Sequence, residues 1–220
     1  GRIDANAAFE LAQQRFGDWQ VEGKAAAATS PSASSATRSF VHLERTGSVQ
    51  SALRIGRPAV AATDADYIAL RVTSTILGGG FSSRLMQNLR EDKGYTYGAG
   101  LGYRAQMAGG ALIAAADVRN EVTGAALGEF FGEYKRIGAE VVSASELDMN
   151  KRYIAGGYLI GNQLQGAVAG SLANNWLVGL PPEFLGEFVP KVRAVDAAQV
   201  QAIGKKYFAP EQQSIVVVGD

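Results

Sequence analysis

Leu77–Gly100 reads LGGGFSSRLMQNLREDKGYTYGAG: three glycines, a short amphipathic run, a charged cluster, then tyrosines alternating with small residues. Upstream, Thr63 to about Leu77 carries Ile68, Val72 and Ile76 on one helical face, and Thr63 with Asp66 has capping-box spacing. The glycines end that helix. A second short helix is predicted from about Ser82 to Glu91, burying Leu85, Met86 and Leu89, with Gly94 as its stop. Tyr95–Ala105 then reads as a strand and Gly110–Arg119 as another, joined near Gln106–Gly109 as an antiparallel hairpin. Because a helix precedes the glycines and positions 81–83 are Phe-Ser-Ser, the dinucleotide fingerprint G-x-G-x-x-G is not met; G-K-[ST] is also absent. Gly78, Gly79 and Gly80 therefore read as a structural loop, a sharp helix-to-helix turn.

Working outward, Asp4 caps a predicted helix over residues 5–16, and the Ala/Ser-rich stretch from Glu22 to Thr37 reads as a flexible linker. Strands are predicted at Ser39–Arg45 and Val49–Gly56. After the hairpin, Asn120–Gly138 turns Val122, Phe130, Tyr134 and Ile137 inward. Ser143 with Glu146 opens a helix running to about Gly161, and another helical stretch covers Leu164–Val178 until Pro181 and Pro182 interrupt it. Asp196 with Gln199 starts a last helix ending near Phe208, and SIVVV at Ser214–Val218 is a short apolar strand. That order predicts an α+β fold: one mostly antiparallel sheet with helices packed on it, in a single domain over 1–220. The closing strand needs a partner and is expected to return to the same sheet. The ends, GRID and VVVGD, suggest half of a longer two-domain protein.

Composition excludes several functions. Basic and acidic residues number 21 each, so the net charge of +0 offers no field for nucleic acid or an anionic membrane. No apolar run has the length of a membrane span. Cysteine is absent and histidine occurs once, as His42, which excludes thiol zinc sites and leaves too few histidines for a typical catalytic zinc centre. A Ser-His-Asp triad would have only His42 as its base, and the sequence lacks a G-x-S-x-G elbow.

Arg90 and Tyr97 are the candidate site residues. Arg90 closes the short helix and Tyr97 follows the turn, so both side chains approach one space. Five guanidinium donors and a phenol would hold a peptide carbonyl, or the oxyanion formed when it is attacked. The residues alone favour the plainer reading, a helix-end arginine bound to Glu91 or Asp92 and a tyrosine in the hairpin core. On the strand, Tyr95, Tyr97, Ala99, Leu101 and Tyr103 are expected on one face, with Thr96, Gly98, Gly100 and Gly102 on the other, inviting close approach by another element.

Leu77–Tyr97 matches the pattern L-G-G-G-x-S-S-R-L-x-x-x-L-R-E-x-x-G-x-x-Y and so resembles the C-terminal half of the pitrilysin-type inverted-motif zinc metallopeptidases, the family of mitochondrial processing peptidase and insulin-degrading enzyme. VQSALRIGRP before it, the S-x-x-E-L segment after the hairpin and the closing KKYFAPEQQSIVVVGD extend the resemblance over most of the chain. The resemblance implies paired, similar domains around a chamber. One carries H-x-x-E-H and zinc; the other contributes an arginine–tyrosine pair, which maps onto Arg90 and Tyr97. H-x-x-E-H maps nowhere here, so no catalytic residue, metal ligand or cofactor is expected in this chain, and zinc is expected in a partner domain or subunit. The implied role is the non-catalytic, substrate-binding half of a zinc endopeptidase, inactive alone. Its implied partners are the zinc-bearing half and a peptide substrate, in a homo- or heterodimer at full length. An assembly module of the same fold, like the core proteins of the respiratory bc1 complex, is the alternative. Bacterial relatives are often exported, which points to the periplasm and leaves the cytoplasm open.

Overall fold

The computed structural model describes residues 3–20, 23 and 38–220. The expected Ala/Ser linker, Gly23 apart, lies outside the described residues. Helix α1 spans Ala5–Phe16, and the Asp4 carboxylate accepts from the Ala7 N–H at 3.0 Å, as the capping pattern predicts.

Strands β1 (Ser39–Glu44), β2 (Gln50–Ala59), β3 (Ala99–Gln106), β4 (Gly109–Arg119) and β5 (Ser214–Gly219) form one sheet in the order β1-β5-β2-β4-β3. The β1–β5 pairing is parallel and the rest are antiparallel. The closing strand thus returns to the sheet and enters between β1 and β2, joining Val217 to His42 on one side and to Leu53 on the other. Strand alternation sets one face inward: Leu53, Ile55, Leu101, Leu112, Ala114, Ala116, Val118, Ile215 and Val217 are buried. Arg54, Gly102, Ile113 and Asp117 on the opposite face are exposed.

Helices cover the apolar face. α2 (Tyr67–Gly78) packs on β3, and α4 (Thr123–Ala139) and α8 (Ala197–Tyr207) lie against each other and the core. α5 (Ala144–Gly161), α6 (Gln165–Leu177) and α7 (Phe184–Ala194) form an outer layer. The α4–α8 crossing is close because glycines meet there: a Cβ on Gly204 would fall 2.6 Å from the Ile137 carbonyl oxygen. No helix among the described residues is long and apolar enough to cross a membrane.

Four expectations need correction. Helix α2 starts at Tyr67 rather than Thr63, because the Asp64 carboxylate takes the Asp66 N–H at 2.8 Å and holds a turn. The Asp66 carboxylate makes no cap; it accepts from Lys206 Nζ at 2.6 Å and Tyr207 OH at 2.7 Å, tying α2 to α8. Strand β3 begins at Ala99, not Tyr95, since residues 95–98 form a loop. Helix α7, which the sequence pattern does not assign, forms despite Pro181, Pro182 and an internal Pro190: Phe184, Phe188 and Val192 recur every fourth residue and all are buried.

Candidate functional site

The quoted stretch folds as the end of α2, a turn, the short helix α3 (Arg84–Met86), and a π-helical turn over Gln87–Asp92. Gly78 and Gly79 are needed for space rather than for a left-handed backbone; Gly79 caps α2 at φ −83°. A Cβ on Gly78 would lie 2.6 Å from Leu101 Cβ and 2.8 Å from the Gly100 carbonyl carbon, so glycine lets α2 meet β3. A Cβ on Gly79 would lie 2.7 Å from Thr75 Cα. The glycine face expected on the strand therefore serves helix packing at Gly100. Met86 is half-buried, while Leu85 and Leu89 are buried as predicted.

Two clamps fix this segment. The Arg84 guanidinium donates to both Glu146 carboxylate oxygens at 2.8 Å, joining α3 to the first turn of α5. Arg84 is 9 % exposed. The Glu146 hydrogen bond raises the guanidinium's pKa above its ordinary value, against the opposing effect of burial. Glu146 therefore completes only half of its capping pattern: its N–H donates to Ser143 Oγ at 3.2 Å, and its carboxylate serves Arg84. The second clamp is Asn88, whose amide donates to Glu129 and Glu133 of α4, both at 3.0 Å. Lys93 adds an ion pair to Glu129 at 3.2 Å. Asn88's hydrogen bond is the main cause lowering the Glu129 pKa; desolvation opposes it, and Lys93 adds a smaller lowering.

Arg90 sits on the outer side of the π-helical turn, 36 % exposed, with its Nε 3.5 Å from Glu91 and its guanidinium 5.4 Å from the Phe81 ring centre. A π-helical turn widens the helix and re-aims side chains, and such turns recur at functional positions. Gly94 turns the chain at φ +62°, a left-handed conformation suited to glycine. The following loop is pinned to β4. Thr96 Oγ1 donates to the Asp117 carbonyl at 2.7 Å, and Arg119 donates to the Gly94 carbonyl at 3.3 Å. Tyr95 packs against the core, whereas Tyr97 is 92 % exposed. Tyr97 therefore does not share the inward face of Ala99 and Leu101, because it precedes the strand's alternation. The backbone around both candidates is fixed while their side chains stay accessible. The supports Arg84, Asn88, Lys93 and Thr96 were not singled out from the sequence. Only Arg84 and Glu146 left a trace there, inside the matched motif and the capping pattern.

His42 lies on the exposed edge strand β1, and among the described residues no three His, Cys, Asp or Glu side chains gather as metal ligands.

A family model described as "Peptidase M16 inactive domain" matches residues 1–154. The crystal structure of a peptidase M16 inactive domain from Pseudomonas fluorescens is 27% identical and superposes with a TM-score of 0.83, covering 100% of this chain and 52% of that one. A protease from Helicobacter pylori is 17% identical, with a TM-score of 0.83 over 99% of this chain and 53% of its own. A chain of complex III2 from Candida albicans is 15% identical, with a TM-score of 0.77 over 100% of this chain and 53% of its own. The chain thus spans about half the length of these solved chains. Comparison with curated proteins gives no match.

Proposed function

The chain belongs to the peptidase M16 inactive-domain family, and from that membership we propose that it is the non-catalytic, substrate-holding half of a zinc-dependent endopeptidase. The zinc-bearing half is a partner domain or subunit, which supplies the Lewis acid and the attacking hydroxide. The observation that carries the reading is the exposure of Tyr97, 92 %, on a loop whose neighbours are pinned, seven residues after an accessible Arg90. A tyrosine serving only the hairpin core would be covered.

In this role the Arg90 guanidinium turns from its loose contact with Glu91 to donate to a substrate carbonyl. The Tyr97 hydroxyl donates to the same peptide near the scissile bond. Both interactions strengthen as the carbonyl oxygen gains negative charge, which favours the transition state over the bound substrate. The clamps at Arg84 and Asn88 keep the carrying segment in place, so little ordering entropy opposes binding.

The test is zinc-dependent peptide cleavage by the full-length protein together with its zinc-bearing partner, comparing wild type with Arg90→Ala and Tyr97→Phe. Each variant is expected to lower kcat/KM by about 100-fold, the usual loss for one oxyanion donor. Unchanged cleavage in both variants would assign Arg90 and Tyr97 to surface structure and favour the assembly-module reading.

A further inference from the structure

A cleft of about 1020 Å³ opens between α2, α5, α6 and α7. Tyr67, Arg71, Thr75 and Gly79 form one wall, spaced every fourth residue along α2 and its cap. The facing wall includes Gly156 and Gly157 of α5 and Gly170 of α6, and Phe184 and Phe188 lie at the base.

Among the described residues, no packing contact explains those glycines. A Cβ at Gly156, Gly157 or Gly170 would meet nothing within 4 Å. Glycine inside a helix costs about 1 kcal/mol relative to alanine. Three such positions on one cleft leave room for an approaching backbone at the expense of helix stability. The polar groups complement this. Asn175 is 8 % exposed, yet among the described residues its amide Nδ2 has no hydrogen-bond partner. A buried donor in that state lacks an acceptor such as a peptide carbonyl. Charge is one-sided: the charged lining residues are Arg71 and Arg152, with no carboxylate among them. Arg152 is paired with Asp148 at 2.7 Å. Arg71 lies 5.2 Å over the Phe188 ring, and among the described residues no carboxylate comes within 4 Å of it. At its Gly79 end the cleft leads toward the candidate site. Gly80 lies against the Tyr153 hydroxyl, and the next residue is Phe81, on which Arg90 stacks.

We propose that this cleft is an exosite for an extended, acidic peptide segment, with Arg71 pairing to its carboxylate, Asn175 donating to a backbone carbonyl and the glycine wall admitting the main chain. The inference rests on the peptide-holding role proposed above and adds a preference for substrates carrying acidic residues outside the scissile region.

The test is fluorescence anisotropy at low ionic strength with the 220-residue chain. The probe is a labelled Ala/Phe/Gly nonapeptide ending in Asp-Asp, compared with its Asn-Asn counterpart and with each as the C-terminal amide. Wild type is expected to prefer the Asp-Asp probe. Arg71→Glu should weaken that probe by about tenfold or more and remove the preference. Gly157→Leu should weaken all probes without lowering the thermal unfolding temperature, since its side chain enters open space and leucine favours the helix. Lys135→Glu, the same charge change at an exposed position of α4, should leave binding unchanged. The amide pair separates a side-chain carboxylate from the chain terminus as the recognised group. Absence of binding by wild type, equal affinity for Asp-Asp and Asn-Asn, or indifference to Arg71→Glu would overturn the proposal. If any of these accompanies loss of cleavage in Arg90→Ala and Tyr97→Phe, the exosite fails and the substrate-holding role stands. If binding responds to Arg71 while those variants cleave normally, the cleft stands as a peptide site without that role.

Discussion

Tyr97 and Arg84 sit thirteen residues apart in one motif and are opposite in physical character. Removing the Tyr97 hydroxyl touches nothing inside the fold, so Tyr97→Phe should change unfolding free energy by less than about 0.5 kcal/mol while affecting cleavage. Arg84→Ala strips the partner from Glu146 and opens a buried guanidinium site; chemical denaturation should show a loss of about 3 kcal/mol. A stability loss for Tyr97→Phe of the same size would mean that the hydroxyl is structural. Asp66 supplies a pH-dependent contribution. Its pKa is lowered by the hydrogen bond from Lys206, then, against desolvation, by that from Tyr207. A depressed carboxyl pKa stabilises the fold above the unfolded value and ceases to do so as pH falls through the folded value. Lys206 is largely solvent-exposed, so screening limits the effect. Asp66→Asn should therefore cost about 1 kcal/mol near neutrality, and the gap from wild type should close as pH drops below about 4. A gap that persists unchanged in acid would assign the loss to altered packing.

Between elements, the decisive contacts are close approaches that only glycine permits. Gly204 and Gly138 let α4 and α8 cross with backbone nearly touching backbone, and Gly78 does the same for α2 and β3. Gly204→Ala improves helix propensity by about 1 kcal/mol, yet its methyl would collide with the Ile137 carbonyl. The collision should win, for a net loss of about 1–3 kcal/mol in denaturant titration; a net gain would show that the helices separate freely. The capping patterns were legible in the sequence with mixed success. Asp196 and Gln199 form the full reciprocal box that their spacing predicts. Thr63 and Asp66 have similar spacing but lose to competing acceptors and donors, since Asp64 and the α8 side chains offer stronger local partners. Helix α7 was hidden by its prolines. The burial of Phe184, Phe188 and Val192 outweighs a lost backbone hydrogen bond, a tertiary effect that composition does not reveal.

For the whole molecule, the last strand holds the sheet together. Among the described residues β5 is the sole strand paired with β1, and it also borders β2, so residues 38–49 and the sheet's centre depend on residues 214–219. Deleting residues 214–220 should abolish the cooperative unfolding transition seen by circular dichroism. A truncated chain that still melts cooperatively would mean that the helices and the β2–β4–β3 hairpin network fold without it.

The sequence by itself determined the order of elements apart from α7, the α+β class, the return of the closing strand, the absence of a zinc motif, and the motif containing Arg90 and Tyr97. These depend on local periodicity, turn residues and residue counts, which one chain displays directly. Tertiary structure alone decided where β5 enters the sheet, that Arg84 and Asn88 clamp the motif, that Tyr97 faces outward, and that α5 and α6 leave a glycine-walled cleft. The clamps join partners 40 or more residues distant in the chain, Arg84 with Glu146 and Asn88 with Glu129, and the Tyr97 loop is pinned to β4 from 21 residues away; pairings of that kind are set by how packed elements meet rather than by the residues on either side.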